Sequence, residues 1–169
     1  MQSVLVRHEI PSRTRSLAAT FLPDRFDWLM GLYAENHRRL ARLFAPERLE
    51  VGEYVSSVDD GLDVRLSVQQ RHPYTLELGL SYAVVDASTG NPSPSAQLRT
   101  YLDARMTEAL HCEPGRDLWQ VLGPLAPARN VMLHRLRMNG FLNRWLEYLA
   151  GQGHSLATLE RLLSAPAVA

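Results

Sequence analysis

"EYVSSVDDGLDVRLSV", residues 53–68, decides the fold class. It reads as two strands around Asp60-Gly61, a dipeptide favoured in tight hairpin turns because both positions tolerate positive φ. In its second half Leu62, Val64, Leu66 and Val68 face one way, and Asp63, Arg65, Ser67 and Gln69 face the other. Successive side chains of a strand point to opposite faces. The pattern therefore predicts an antiparallel sheet with one apolar and one polar face.

The same period continues downstream. After a turn at "QRHPY" (70–74), Leu76, Leu78, Leu80 and Tyr82 alternate with Thr75, Glu77, Gly79 and Ser81. "DASTGNPSPS" (86–95) is a loop by composition. In "LRTYLDARMTEAL" (98–110), Leu98, Thr100, Leu102, Ala104 and Met106 alternate with Arg99, Tyr101, Asp103, Arg105 and Thr107. That run is longer than a typical strand, so a turn or bulge is expected near Asp103-Ala104, making a tight hairpin or one bent strand.

Helical periodicity brackets the strands. In residues 23–44, Phe26, Leu29, Met30, Tyr33, His37, Leu40, Ala41 and Phe44 form one stripe, with Gly31, Glu35, Arg38 and Arg42 opposite. Asp24 is the expected N-cap, and the first 22 residues read as a loose arm. "EPGRDLWQVLGPLAPARN" (113–130) is a Pro/Gly-rich connection anchored by Leu118, Trp119 and Leu122. A second helix is expected from Val131 to Ala150, with a stripe of Val131, His134, Met138, Phe141, Leu142, Trp145 and Leu149. Ser155 caps an expected last short helix through Leu163. The prediction is one α+β domain over 23–164, with a tail at 165–169. An antiparallel sheet of four to six strands carries both long helices on its apolar face.

Composition narrows the function classes. The chain has 169 residues, with eighteen basic and eighteen acidic side chains, so no net field steers it to nucleic acid or anionic lipid. All the basic residues are arginine, which reads as GC-rich coding bias rather than function. The lone thiol, Cys112, and the lack of a signal-peptide core lead us to expect a reducing cytosol. No stretch approaches the roughly 20 apolar residues of a membrane span.

Several short patterns are familiar. "YLDA" (Tyr101, Asp103, Ala104) with Glu108, followed by "NGFLNRWLEYL" (Asn139, Phe141, Leu142, Trp145, Leu146, Tyr148), resembles the YqiB-like family of uncharacterised proteobacterial proteins. Leu32, Asn36, Leu40 and Leu43 fit that family's opening pattern, and "PYT" (73–75) sits where it carries a similar Tyr-Thr. The resemblance covers roughly residues 26–154. It implies no activity, cofactor or catalytic residue. Its gene neighbourhood, with an ADP-ribose hydrolase and a cyclic-AMP phosphodiesterase, implies an association with nucleotide signalling.

Candidate chemistry centres on the polar face of 98–110. On one continuous strand Arg99, Tyr101, Asp103 and Arg105 would share a face at about 6–7 Å intervals. Two guanidiniums flanking a tyrosine and a carboxylate suit a phosphate-bearing ligand, against the plainer reading of a solvated face with cross-strand charge pairs. Arg65, expected on a neighbouring strand, is a fifth contact. Glu108 is a sixth, and it can pair with Asp103 as acid and base only if a turn separates them. His111-Cys112-Glu113 lacks metal-site spacing, and Cys112 has no activating motif. His37 and His134 lie on helix stripes, where a hydrogen-bonded core histidine outweighs a shared ion. The arginines between Arg129 and Arg144 read as a solvated helix face. Phosphate-loop, dinucleotide, nucleophile-elbow and zinc-protease motifs are absent from the sequence.

The resulting expectation is a non-catalytic cytosolic binding or regulatory module without a cofactor or metal. It would use the polar sheet face to engage a protein partner or a small ligand, with nucleic acid and membrane disfavoured. The alternative is a small enzyme or sensor of a phosphorylated nucleotide. A homodimer through a sheet edge or the Trp119 connection is a further expectation.

Overall fold

A computed structural model describes residues 17–88, 90–113 and 127–162. The elements are α1 (Leu17–Phe44), a 3₁₀ turn (Pro46–Arg48), β1 (Gly52–Ser56), β2 (Val64–Arg71), β3 (Thr75–Tyr82), β4 (Ser95–Tyr101), β5 (Met106–Glu113), α2 (Ala128–Gly151), a second 3₁₀ turn (Leu156–Thr158) and β6 (Leu159–Arg161). The strands form one antiparallel sheet in the order β5-β4-β3-β2-β1-β6. The fold is α+β, as the alternation predicts.

Both helices cover one face. Val64, Leu66, Val68, Leu76, Leu78, Leu80 and Leu98 alternate along β2, β3 and β4 and are all buried against Leu40 and Phe44 of α1 and Leu142, Leu146 and Leu149 of α2. At about 25 cal/mol per Å² of apolar surface removed from water, this layer is the main stabilising term. The helices run in the same direction, because contacts climb both chains together: Tyr33 with Arg135, Asn36 with Asn143, Arg39 with Glu147.

Three boundaries differ from the sequence expectation. The arm expected over 1–22 is helical from Leu17, so Asp24 lies in the third turn of α1 instead of at its cap. Pro23 removes one N–H from the helical ladder, yet the leucines and alanines before it are strong helix formers that carry the helix past it. Residues 1–16, the Trp119 connection and the 165–169 tail lie outside the described residues. The β1–β2 connection spans residues 57–63, and its turn closes with Gly61 N–H donating to Val58 O. That centres it on Asp59-Asp60 and leaves Leu62 in the linker, 53% exposed instead of core-facing. Phe26 likewise points outward. Finally, Ser155 begins a capping box, but the helix lasts one 3₁₀ turn. The chain then extends as β6 and pairs with the free edge of β1.

A polar clamp fixes the helices to the sheet. Asn36 of α1 and Asn139 of α2 are fully buried. Asn36 Nδ2 donates to Asn139 O at 3.3 Å, Asn143 Nδ2 donates to Asn36 Oδ1 at 3.0 Å, and Ala109 N of β5 donates to Asn139 Oδ1 at 2.8 Å. A buried amide without partners is costly, so these bonds set the helix register.

Candidate functional site

The candidate residues of 98–110 divide between the sheet face and a turn. A four-residue turn, Leu102–Arg105, joins β4 to β5, so the stretch is a tight hairpin and not one bent strand. Arg99 and Tyr101 stay on the polar sheet face, while Asp103 and Arg105 belong to the turn.

On the sheet face the polar side chains satisfy one another. Arg99 Nε donates to Glu77 Oε1 at 2.7 Å across β4 and β3. Tyr101 Oη donates to Glu108 Oε1 at 2.7 Å, and Arg135 Nη1 of α2 donates to Glu108 Oε2 at 2.9 Å. Glu108, with its side chain 8% exposed, is the hub that ties β4, β5 and α2 together. Arg135 also donates to Tyr33 Oη at 3.3 Å. Burial, and then the hydrogen bond to Glu108, hold the Tyr101 hydroxyl above its ordinary value, so it remains a donor. Asp103 is a turn residue whose Oδ1 accepts from Ala104 N at 2.8 Å. It makes no hydrogen bond to Glu108, although the turn does separate the two carboxylates.

Arg65 is not on a neighbouring strand. It lies on β2, with β3 between it and β4, roughly 10 Å away at the usual strand spacing. It borders a shallow hollow of about 350 Å³ on the open sheet face, walled by Ser67, Ser81, Ser95 and Gln97. Gly79 forms its floor because a Cβ there would meet Gln69 Nε2 at 3.1 Å. Above it the Gln69 and Gln97 amides exchange hydrogen bonds of 3.3 and 2.9 Å.

Arg105 belongs to a different and larger concavity. Its φ of 52° places it in the left-handed region, uncommon for a residue with a Cβ. It lines a cleft of about 800 Å³ between the β4–β5 turn and the C-terminal half of α1. Two columns of α1 form the opposite wall: Ala34, His37 and Ala41 on one, Arg38 and Arg42 on the other, each at helical spacing of three or four. The small side chains of Ala34 and Ala41 keep the hollow open. Leu102 adds an apolar surface, and Glu47 of the first 3₁₀ turn is the one acid among the lining residues.

With Arg38 paired to Glu35, Arg42 and Arg105 against Glu47 still leave the cleft positive with His37 neutral. Glu35 fixes Arg38, which donates through Nε and Nη2 at 2.8 and 2.6 Å. That hydrogen bonding holds the Glu35 carboxyl at about 2. Arg42 and Arg105 form no hydrogen bond or ion pair among the described residues. Burial holds the His37 imidazole below its ordinary value, with Glu47 opposing and Arg105 reinforcing the shift. The sequence placed Arg42 on a solvated face and His37 in the core. The signal for the cleft was alanine at positions 34 and 41, flanking His37 beside an arginine column.

The other sequence candidates resolve plainly. His37 and His134 do not meet, because His134 lies near Arg137, Arg135 and His111 at the other end of α2. His111 Nε2 is 3.6 Å from Glu113 Oε1. Among the described residues no group of three His, Cys, Asp or Glu side chains can hold a metal ion. Burial pushes the Cys112 thiol up to about 12, far from a reactive thiolate. No helix of the described residues is long and apolar enough to cross a membrane.

A family model described as "protein of unknown function (DUF1249)" matches residues 39–155, more than half of the chain. The chain belongs to the DUF1249 family. The DUF1249 match contains β1 to β5, α2, Arg42 and Arg105, whereas His37 and Arg38 precede it. No curated protein and no solved structure matches the chain.

Proposed function

We propose that this DUF1249 protein is a non-catalytic binding module for a small phosphorylated ligand of nucleotide size, held in the cleft between α1 and the β4–β5 turn. The observation that carries this reading is the pair of guanidiniums, Arg42 and Arg105, unpaired among the described residues and facing one cleft beside Arg38 and His37. Arginine forks match phosphate oxygens in bidentate geometry. Leu102, Ala34 and Ala41 offer an apolar surface for a planar group, and about 800 Å³ lies in the range of small-molecule sites. Binding is favoured over turnover because the buried acid, Glu108, has both oxygens engaged. The YqiB-like reading of the family, its proteobacterial origin and a cytosolic location belong to this proposal. The single, buried Cys112 supports the last of these.

The sheet face is the second reading, favoured by one observation. Arg65, which forms no hydrogen bond or ion pair among the described residues, opens on the serine-lined hollow above Gly79.

Thermal unfolding against pyrophosphate and a panel of nucleotides separates the two. A ligand at 100 times its dissociation constant adds about 2.7 kcal/mol, which for a domain of this size is a shift of roughly 5–11 °C. The cleft reading predicts such a shift in wild type and in Arg65→Ala and Arg99→Ala, with loss in Arg42→Ala and Arg105→Ala. Loss in Arg65→Ala or Arg99→Ala instead places the ligand on the sheet. No shift with any phosphate compound refutes both.

A further inference from the structure

On the side of the helices away from the sheet, α1 and α2 leave a groove of about 370 Å³. Its walls are Trp28 and Leu32 of α1 and Leu133 of α2, and Gly140 lies in its floor. A Cβ built on Gly140 meets no heavy atom within 4 Å, so the floor is open space. Trp28 is 61% exposed, an unusual placement for the largest apolar side chain unless something covers it. Arg137 and Arg144 stand on the same edge of α2, two turns apart, which is about 10.5 Å along the axis. Neither forms a hydrogen bond or ion pair among the described residues.

We propose that this groove docks an acidic amphipathic helix of a partner protein. Two parallel helices with an apolar furrow between them accept a third helix, whose residues at i, i+3, i+4 and i+7 fill the furrow. Carboxylates seven residues apart on that helix match the spacing of Arg137 and Arg144. Trp28 acts as the buried aromatic anchor, the residue type that dominates interface energies. The two arginines at the rim set orientation and on-rate. A single-stranded nucleic acid is the poorer occupant. It needs a basic track with successive stacking aromatics, and here a single aromatic, Trp28, lies among Arg25, Arg137 and Arg144 on a protein of zero formal net charge. The inference is independent of the phosphate cleft, which faces the β4–β5 turn.

The test is fluorescence anisotropy with a labelled synthetic helix carrying leucines at i, i+3, i+4 and i+7 and glutamates on its flanks. A matched peptide carries lysine in place of each glutamate, and a labelled single-stranded RNA serves as third probe. The glutamate peptide is expected to bind wild type in the micromolar range and at least tenfold more weakly to Arg137→Glu/Arg144→Glu, which should prefer the lysine peptide. Gly140→Leu is expected to abolish binding by filling the furrow while unfolding at or above the wild-type temperature, since the side chain enters open space and leucine favours helix over glycine. Binding indifferent to both the charge reversal and Gly140→Leu overturns the proposal. So does no peptide binding, or RNA binding that depends on the same two arginines.

Discussion

Arg105 holds a left-handed backbone in a turn where glycine would sit without strain. The cost of that conformation for a residue with a Cβ is on the order of 1 kcal/mol. Arg105→Gly should therefore raise stability by about 1 kcal/mol in chemical denaturation while abolishing phosphate-ligand binding. A variant that loses stability, or one that binds normally, contradicts the role given to this side chain. Glu108 carries the opposite expectation. Its carboxylate accepts from Tyr101 and Arg135, but Arg135 is 42% exposed and solvent screens part of the pair. Glu108→Gln should cost about 2 kcal/mol, the scale of a hydrogen bond to a charged group, measured from the denaturation midpoint at constant m. At this scale the sequence exposed residue types but not their partners. Arg99, Tyr101 and Glu108 were legible as polar positions, whereas their closure onto Glu77 and Arg135 depends on strand order and on a helix 27 residues further along.

Between elements, the asparagine clamp is the decisive device. Replacing Asn139 by alanine orphans the Ala109 N–H inside a fully buried contact, while Asn36 Nδ2 keeps its bond to the main-chain Asn139 O. Asn139→Ala should lower stability by about 1–3 kcal/mol, the scale of one unsatisfied buried group. Hydrogen exchange should show the loss concentrated at β5 and the facing turns of both helices; uniform loss across the sheet would argue against a clamp. Both asparagines sit on the helix stripes, Asn36 between Tyr33 and Leu40 and Asn139 between Leu136 and Leu142, so a polar residue at a core position on each helix was the available signal. The central strands were readable because each buries one face, and a slip of one residue would expose that whole face. β6 was not, because three residues carry no period and the preceding capping box correctly signals a helical turn. The β1–β2 turn slipped for a similar reason. Asp-Gly favours a two-residue hairpin, but Gly61 bonds back to Val58 and the linker absorbs Leu62.

Across the whole molecule, His37, His134 and His154 are all held below the ordinary imidazole value, in each case first by burial. His154, 3% exposed, shares a hydrogen bond of 2.8 Å with Ser56 Oγ. As pH falls past about 6.5 the unfolded chain takes up protons that the folded chain does not, so stability is full above that pH and declines below it. Glu35 acts in a separate and lower window, between 4.5 and about 2. Denaturation midpoints should therefore rise from pH 5 to pH 7, with a shallower rise in His154→Gln. An unchanged slope in that variant would remove His154 from the account. The same histidine chemistry reports on the cleft. The most direct measurement is the His37 pKa, followed by ring NMR with and without saturating pyrophosphate. An anion seated between Arg42 and Arg105 offsets the Arg105 field that adds to burial in depressing His37, so its pKa should rise on addition while that of His154 stays fixed. A His37 titration indifferent to pyrophosphate would contradict the cleft as the ligand site.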